Sequence, residues 1–301
     1  MSFINKALEK AKSLHHEKGK PTPSPSQPPP QAPLPDLDEI AGFAETPEEI
    51  HYTQTRTVAV DMDRLRRNRL IVPGSDPNLG EAYKLLRTHI LHGTKREGLN
   101  TLMVTSPLPN EGKSLTTINL ALAISQKVGQ TVLLVDGDLR NPSVHRYLEL
   151  PSGPGLVDYL TSGYPISESL VHPEGLSNLV VLPAGQPTTH SGELLSSPLM
   201  IDLVKELKHF YPDRYVLFDL PPLLYADPLA FAPLVDGIIL VVEAGSTPRE
   251  EITHALEMVK AFPVLGCVLN KVDPVELSYG YYYKYYPDHD SQKKFKLPWA
   301  K

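Results

Sequence analysis

The chain has 301 residues, is 41% hydrophobic and carries a formal net charge of −6. That length holds one large domain or two small ones, and the mild acidity excludes a global electrostatic pull toward nucleic acid or an anionic membrane. The only cysteine, Cys267, excludes an internal disulfide and fits a reducing compartment; within "VLGCVLN" it reads as a small buried hydrophobe.

In chain order, residues 1–20 come first. Ile4, Ala7, Leu8, Ala11 and Leu14 recur at helical spacing and predict a short amphipathic helix, either a frayed terminus or a docking element. Residues 21–35 contain eight prolines, and acidic, weakly hydrophobic sequence follows, so 21–50 reads as a disordered linker. The beginning lacks the apolar core of a secretory signal. No run approaches the ~20 apolar residues of a membrane helix. Any membrane association is therefore expected to go through a partner.

Residues 51–277 read as the folded domain. Residues 78–94 predict a helix ahead of the first strand. From about residue 98, apolar runs alternate with helical patterns. Strands are predicted at 101–106, 131–136, 178–184, 215–219, 237–244 and 264–270, and helices at 113–128, 155–162, 192–210 and 249–261. Several strands are apolar on both faces. This alternation predicts an α/β fold: a parallel sheet with right-handed crossovers and helices on both faces.

Residues 278–301 form a tail, and six of the first eight residues of "YGYYYKYYPDHD" (279–290) are tyrosine, against fourteen in the whole chain. A strand would scatter such a run over both faces. The tail looks more like a substrate than a scaffold.

The chemistry is concentrated in "VTSPLPNEGKS", between the first long apolar strand and a helix. That is where a P-loop belongs. Its contacts are expected from Asn110 through Glu111, Gly112, Lys113 and Ser114 to Leu115. Backbone N–H groups and the helix N-terminus hold phosphate oxygens in such a loop. Lys113 would reach the β and γ phosphates, and the Ser114 hydroxyl would bind Mg²⁺. The first glycine of the usual pattern is replaced by Pro107, and neither Pro107 nor Pro109 has an N–H to offer. Asn110 stands where a glycine is expected; Asn tolerates left-handed backbone better than other residues with side chains. Two strands end in carboxylates, "LLVDGDLR" with Asp136 and Asp138 and "YVLFDLPP" with Asp219. Carboxyl ends of parallel strands face the ligand crevice, and hard oxygen ligands there suit Mg²⁺.

"SPLPNEGKS", "LLVDGDLR" and "VLFDLPP", followed by the tyrosine tail, resemble the Walker A, Walker A′ and Walker B motifs of the bacterial tyrosine kinases of capsule and exopolysaccharide synthesis. The similarity spans roughly residues 78–290, and the beginning is similar to the exosortase-associated autokinase branch. The resemblance implies an ATP- and Mg²⁺-dependent P-loop kinase. Lys113, Asp136 and Asp138 would be catalytic, the two aspartates sharing metal organisation and acceptance of the tyrosine proton. Ser114, Asp136 and Asp219 would hold Mg²⁺, and Asn270 of "NKVD" stands where related folds contact adenine. Tyr279, Tyr281, Tyr282, Tyr283, Tyr285 and Tyr286 would be phosphoacceptors for a neighbouring subunit in a ring-like, transient homo-oligomer. Glu81, Lys84 and Arg87 fall where the family has its subunit-contact motif, with Lys84 in place of an arginine. Asp227 would either support the metal shell from outside or cap a helix. The implied partner is a membrane-embedded polysaccharide co-polymerase, which places the chain in the cytoplasm at the inner membrane; no nucleic-acid partner is expected. The alternatives are a MinD- or ParA-like ATPase, against which Leu108 replaces the signature lysine, and a catalytically weak nucleotide-binding regulator of polysaccharide export.

Overall fold

The structure is a computed structural model that describes residues 55–176, 178–210 and 214–272. The chain divides into Met1–Thr46 and Pro47–Lys301, and the described residues belong to the second unit. The expected N-terminal helix, the 21–50 linker and the 278–301 tail with its tyrosines lie outside the described residues.

In chain order the elements are β1 (Arg56–Val58), α1 (Met62–Arg67), α2 (Pro77–Thr94), β2 (Thr101–Thr105), α3 (Lys113–Ser125), β3 (Thr131–Asp136), α4 (Val144–Tyr147), α5 (Leu156–Ser162) and α6 (Ile166–Ser169). Then come β4 (Val171–Pro173), β5 (Leu179–Leu182), α7 (Ser191–Leu195), α8 (Pro198–Phe210), β6 (Arg214–Asp219), α9 (Asp227–Phe231), β7 (Gly237–Glu243), α10 (Arg249–Val259) and β8 (Val264–Asn270). The strands form one sheet in the order β1-β4-β5-β3-β6-β2-β7-β8. Every neighbouring pair is parallel except β4 with β5.

Helices cover both faces because the strands are apolar on both. Leu102 and Val104 of β2 pack with Leu134 of β3, Leu217 of β6 and Ile118 and Leu122 of α3. The intervening Met103 points the other way, with Leu133, Phe218, Leu203 of α8 and Val259 of α10. This is the period-two alternation of a strand feeding two core layers. Each such leucine or phenylalanine contributes about 1.5–3 kcal/mol through burial.

Three expectations need correction. The sheet is mixed and has eight strands, not six: β1 and β4 are three residues each, too short to show a period in the sequence. The helix expected over 192–210 is two. Ser197 Oγ accepts from Met200 N at 3.2 Å and Pro198 opens α8, so a serine cap and an N1 proline start a new helix there. Cys267 is exposed rather than buried. It lies on β8 at the sheet edge, beyond the register shift opposite Ile238 and Ile239, where no further strand covers it among the described residues.

Candidate nucleotide-binding and phosphotransfer site

β3, β6 and β2 are neighbours, and their carboxyl ends meet. Asp136 is in register with Asp219, and Asp219 with Val104. The chain leaves β2 at Thr105, passes through the loop and enters α3 at Lys113. Asn110 has φ +65° and Gly112 φ +87°, so Asn110 does take the left-handed backbone its side chain tolerates. The positive φ favours glycine at 112, and a Cβ there would stand 2.2 Å from Asn270 Nδ2 and push that amide aside.

The loop is fixed by side chains whose roles were not visible in the sequence. Glu111 is almost wholly buried. Its carboxylate accepts from Leu108 N at 2.9 Å and from the Thr247 hydroxyl. It therefore ties the loop to the turn after β7 and satisfies the one N–H between Pro107 and Pro109. Asn270 Nδ2 donates to Glu111 O at 2.8 Å, and Lys271 Nζ donates to Asn110 O at 2.7 Å while pairing with Glu243 at 2.8 Å. Asn270, expected where related folds contact adenine, has its amide spent on the loop backbone.

Lys113 Nζ lies 2.8 Å from Asp138 Oδ2, 3.2 Å from Ser114 Oγ and 3.7 Å from Asp219 Oδ1. Burial disfavours its charge, but the carboxylates of Asp219, Asp138 and Asp136 outweigh that and raise the ammonium above its ordinary value. Thr117, one turn into α3, donates to Asp219 Oδ1 at 3.3 Å. Asp138 Oδ1 accepts from Asn141 N at 3.1 Å, and Asp136 Oδ2 from Ser143 N and Val144 N, each at 3.0 Å.

One oxygen of each remaining carboxylate has no partner: Asp136 Oδ1 and Asp219 Oδ2, both fully buried. Burial, with the Asp219 charge next to it, pushes Asp136 up to about 8. Burial likewise raises Asp219, against the pull of Lys113. Two orphaned carboxylate oxygens at adjacent strand ends, beside a serine hydroxyl, fit a hard divalent cation. Among the described residues no group of three or more His, Cys, Asp or Glu could hold a metal. Mg²⁺ needs fewer, because it keeps several waters and takes phosphate oxygens.

Asp227 opens α9, and its buried carboxylate receives Arg140 Nε at 2.6 Å, Arg140 Nη2 at 3.1 Å and Ser191 Oγ at 2.6 Å. Burial opposes its ionisation, but the Arg140 and Ser191 hydrogen bonds prevail and hold it below its ordinary value. Arg140 also lies over the Tyr225 ring at 5.4 Å. This bidentate pair fixes the loop that follows Asp138.

On α2, Lys84 and Glu81 pair at 2.7 Å with both side chains more than half exposed. Arg87 Nη1 instead donates to Ala123 O near the end of α3, at 2.8 Å.

A glycine-lysine-serine loop between β2 and α3, facing carboxylates from β3 and β6, defines a P-loop nucleotide-binding domain of the α/β class. No protein-family model matches the chain. It is 34% identical over 223 residues to the tyrosine-protein kinase YwqD of Bacillus subtilis, covering 73% of this chain and 92% of that protein. It is 31% identical over 248 residues to the succinoglycan biosynthesis transport protein ExoP of Rhizobium meliloti, covering 78% of this chain but 30% of that longer protein. The kinase domain of the Escherichia coli tyrosine kinase ETK superposes with a TM-score of 0.60 at 25% identity, over 71% of this chain and 88% of that domain. The chain belongs to the bacterial tyrosine kinase family of capsule and exopolysaccharide synthesis.

Proposed function

We infer that the chain is an ATP- and Mg²⁺-dependent protein-tyrosine autokinase that phosphorylates the tail tyrosines of a neighbouring copy and so regulates exopolysaccharide polymerisation and export. The observation that carries this reading is the position of Lys113 between Asp138 and Asp219, with the unpartnered oxygens of Asp136 and Asp219 alongside.

Lys113 holds the β and γ phosphates and offsets their charge, and the N–H groups from Asn110 to Leu115 cradle them. Ser114, Asp136 and Asp219 would hold Mg²⁺, which would supply charge neutralisation at the phosphoryl oxygens. The phenol oxygen forms the new bond to the γ phosphorus as the bond to the bridging oxygen breaks. ADP leaves with that oxygen. Asp136 and Asp138 share the metal-organising task and acceptance of the phenol proton. Positioning and electrostatics supply most of the rate. Each phosphate adds about −1.5 to −2 charges, so a heavily labelled tail repels itself and weakens its docking in a ring-like, transient homo-oligomer that Glu81, Lys84 and Arg87 help to hold.

Among the described residues no helix is long and apolar enough to cross a membrane. A membrane-embedded polysaccharide co-polymerase would then recruit the chain to the cytoplasmic side of the inner membrane and activate it. ExoP, named as a transport protein and much longer than this chain, supports that pairing. A MinD- or ParA-like ATPase is the weaker reading: Leu108 replaces the signature lysine, and its N–H is taken by Glu111.

Purified full-length chain incubated with ATP and Mg²⁺ is expected to gain phosphotyrosine, read by immunoblot. Changing the six tail tyrosines to phenylalanine should remove it. Phosphate release without tyrosine labelling would instead establish an ATPase, and neither activity a regulator.

A further inference from the structure

The end of the sheet opposite the phosphate site carries a second cavity. The phosphate site stands at the carboxyl ends of β3, β6 and β2, where α3 begins. α3 then runs 13 residues to Ser125, a length of about 20 Å, and β3 starts just beyond it at Thr131. At this amino end of the strands, a groove of about 620 Å³ lies between the second half of α2 and the turn after α3. Small-molecule sites run to about 300–1,000 Å³, so the groove can take a headgroup-sized ligand.

The groove is basic. Arg87, His92, Lys95, Arg96 and Lys127 line it beside the buried Leu91, and no carboxylate does. Arg87 is already engaged, with Nη1 on Ala123 O at 2.8 Å. Lys95, Arg96 and Lys127 are exposed and have no acidic partner among the described residues. Glu97 shares the 3-10 turn with Lys95 and Arg96 but does not line the groove. In a chain of net charge −6, such a cluster makes a local positive potential against the overall sign. It calls for an anion.

The adjoining turn says which kind. Gln130 N donates to Lys127 O at 3.1 Å, and Gly129 has φ +72°, so residues 127–130 form a tight turn with Val128 at its tip. Gly, Pro, Asn, Asp and Ser dominate such positions. Val128 is instead apolar and 73% exposed, more than any other large hydrophobic among the described residues. A soluble anion has no use for it. A lipid interface does: cations meet the phosphates while an apolar side chain enters the acyl boundary.

We propose that this end of the domain docks directly on an anionic phospholipid surface. Lys95, Arg96 and Lys127 engage lipid phosphates, one headgroup enters the groove, and Val128 enters the interface. The phosphate site, a helix length away at the opposite end of the sheet, then faces away from the lipid and stays open to a second copy. This contact is additional to recruitment by a membrane-embedded partner, and it does not depend on whether the site transfers phosphate.

The test sediments full-length chain with vesicles of phosphatidylcholine alone, or of equal parts phosphatidylcholine and phosphatidylglycerol. Binding is expected to the anionic vesicles alone and should weaken as salt rises. The double variant Lys95→Glu, Arg96→Glu should lower the partition coefficient at least about tenfold, with the thermal midpoint unchanged because both side chains are exposed. A smaller loss would place the main lipid contact elsewhere in the chain and overturn the proposal. Val128→Trp reports insertion, in a Trp299→Phe background that removes the only other tryptophan. Its emission should move to shorter wavelength on anionic vesicles, and should not move when the two glutamate substitutions are added. An unmoved emission in the first case overturns the proposal as well. Saturable binding of inorganic pyrophosphate, abolished by the double variant and without any vesicle binding, would make the groove a site for a soluble phosphate and overturn the lipid contact.

Discussion

Replacing Lys113 by methionine is expected to lower tyrosine phosphorylation by at least about 10²–10³-fold, the usual loss when one preorganised charge is removed from a reacting centre. The side chain is long enough to keep the packing, so the loss is electrostatic. It removes the cation 2.8 Å from Asp138 and 3.7 Å from Asp219. Three buried carboxylates, Asp136, Asp138 and Asp219, are then left without it. Breaking one partner of a buried pair costs about 3–5 kcal/mol. The carboxylates can escape part of that cost by taking up protons, and Asp136 and Asp219 are already shifted that way. The stability loss should therefore be larger at pH 8 than at pH 5, read from urea unfolding at both values. Equal stability of the two proteins at pH 8, or labelling within tenfold of the unsubstituted chain, would contradict the arrangement described.

Changing Asp136 to asparagine should have opposite effects on stability and activity. In the folded chain Asp136 is pushed up to about 8, by burial and by Asp219. In the unfolded chain an aspartate titrates near 3.9. Between those values the folded state binds more protons than the unfolded state, so stability falls as pH rises through that window. Asparagine has no charge to bury. Its carbonyl oxygen can accept from Ser143 N and Val144 N as Oδ2 now does, and its amide can donate to Asp219. Without nucleotide or metal, Asp136→Asn is expected to be more stable at pH 8 by about 1–3 kcal/mol. That corresponds to several degrees in midpoint for a domain of this size. Near pH 4 the gain should vanish. Tyrosine phosphorylation should fall at least 10²-fold, because the substitution removes the charge that the proposed mechanism assigns to the metal and the phenol proton. A midpoint at pH 8 no higher than that of the unsubstituted chain would show that Asp136 is not destabilised where it stands.

Much of this site is legible in the chain because its parts are local. A P-loop is a strand, a turn and a helix in sequence, so position alone marks Lys113 and Ser114. Asp136 and Asp219 end apolar runs, and the parallel sheet brings those ends together. Asn110 is readable as a left-handed position from side-chain chemistry alone. What escapes is chemistry made by residues far apart. Glu111 reads as one more loop residue until the fold brings Thr247 against it. Arg140, Asp227 and Ser191 form one network from three separate segments, which no spacing rule connects. The exposure of Cys267 escapes the sequence for a related reason. An apolar run identifies a strand, but only the strand order reveals that β8 lies at an edge. The break before α8 was present in the sequence, in Ser197 and Pro198, and the apolar periodicity on either side obscured it.

The most direct measurement mixes two copies. One carries Lys113→Met with an intact tail; the other has an intact Lys113 and phenylalanine at all six tail tyrosines. Neither can label itself. After incubation with ATP and Mg²⁺, phosphosites on each are mapped by mass spectrometry. Phosphate on Tyr279–Tyr286 of the Lys113→Met copy, growing with the concentration of its companion, is the predicted result. An unlabelled tail, from a companion shown to bind ATP, would mean that these phosphate-site residues do not transfer phosphate to a neighbouring phenol.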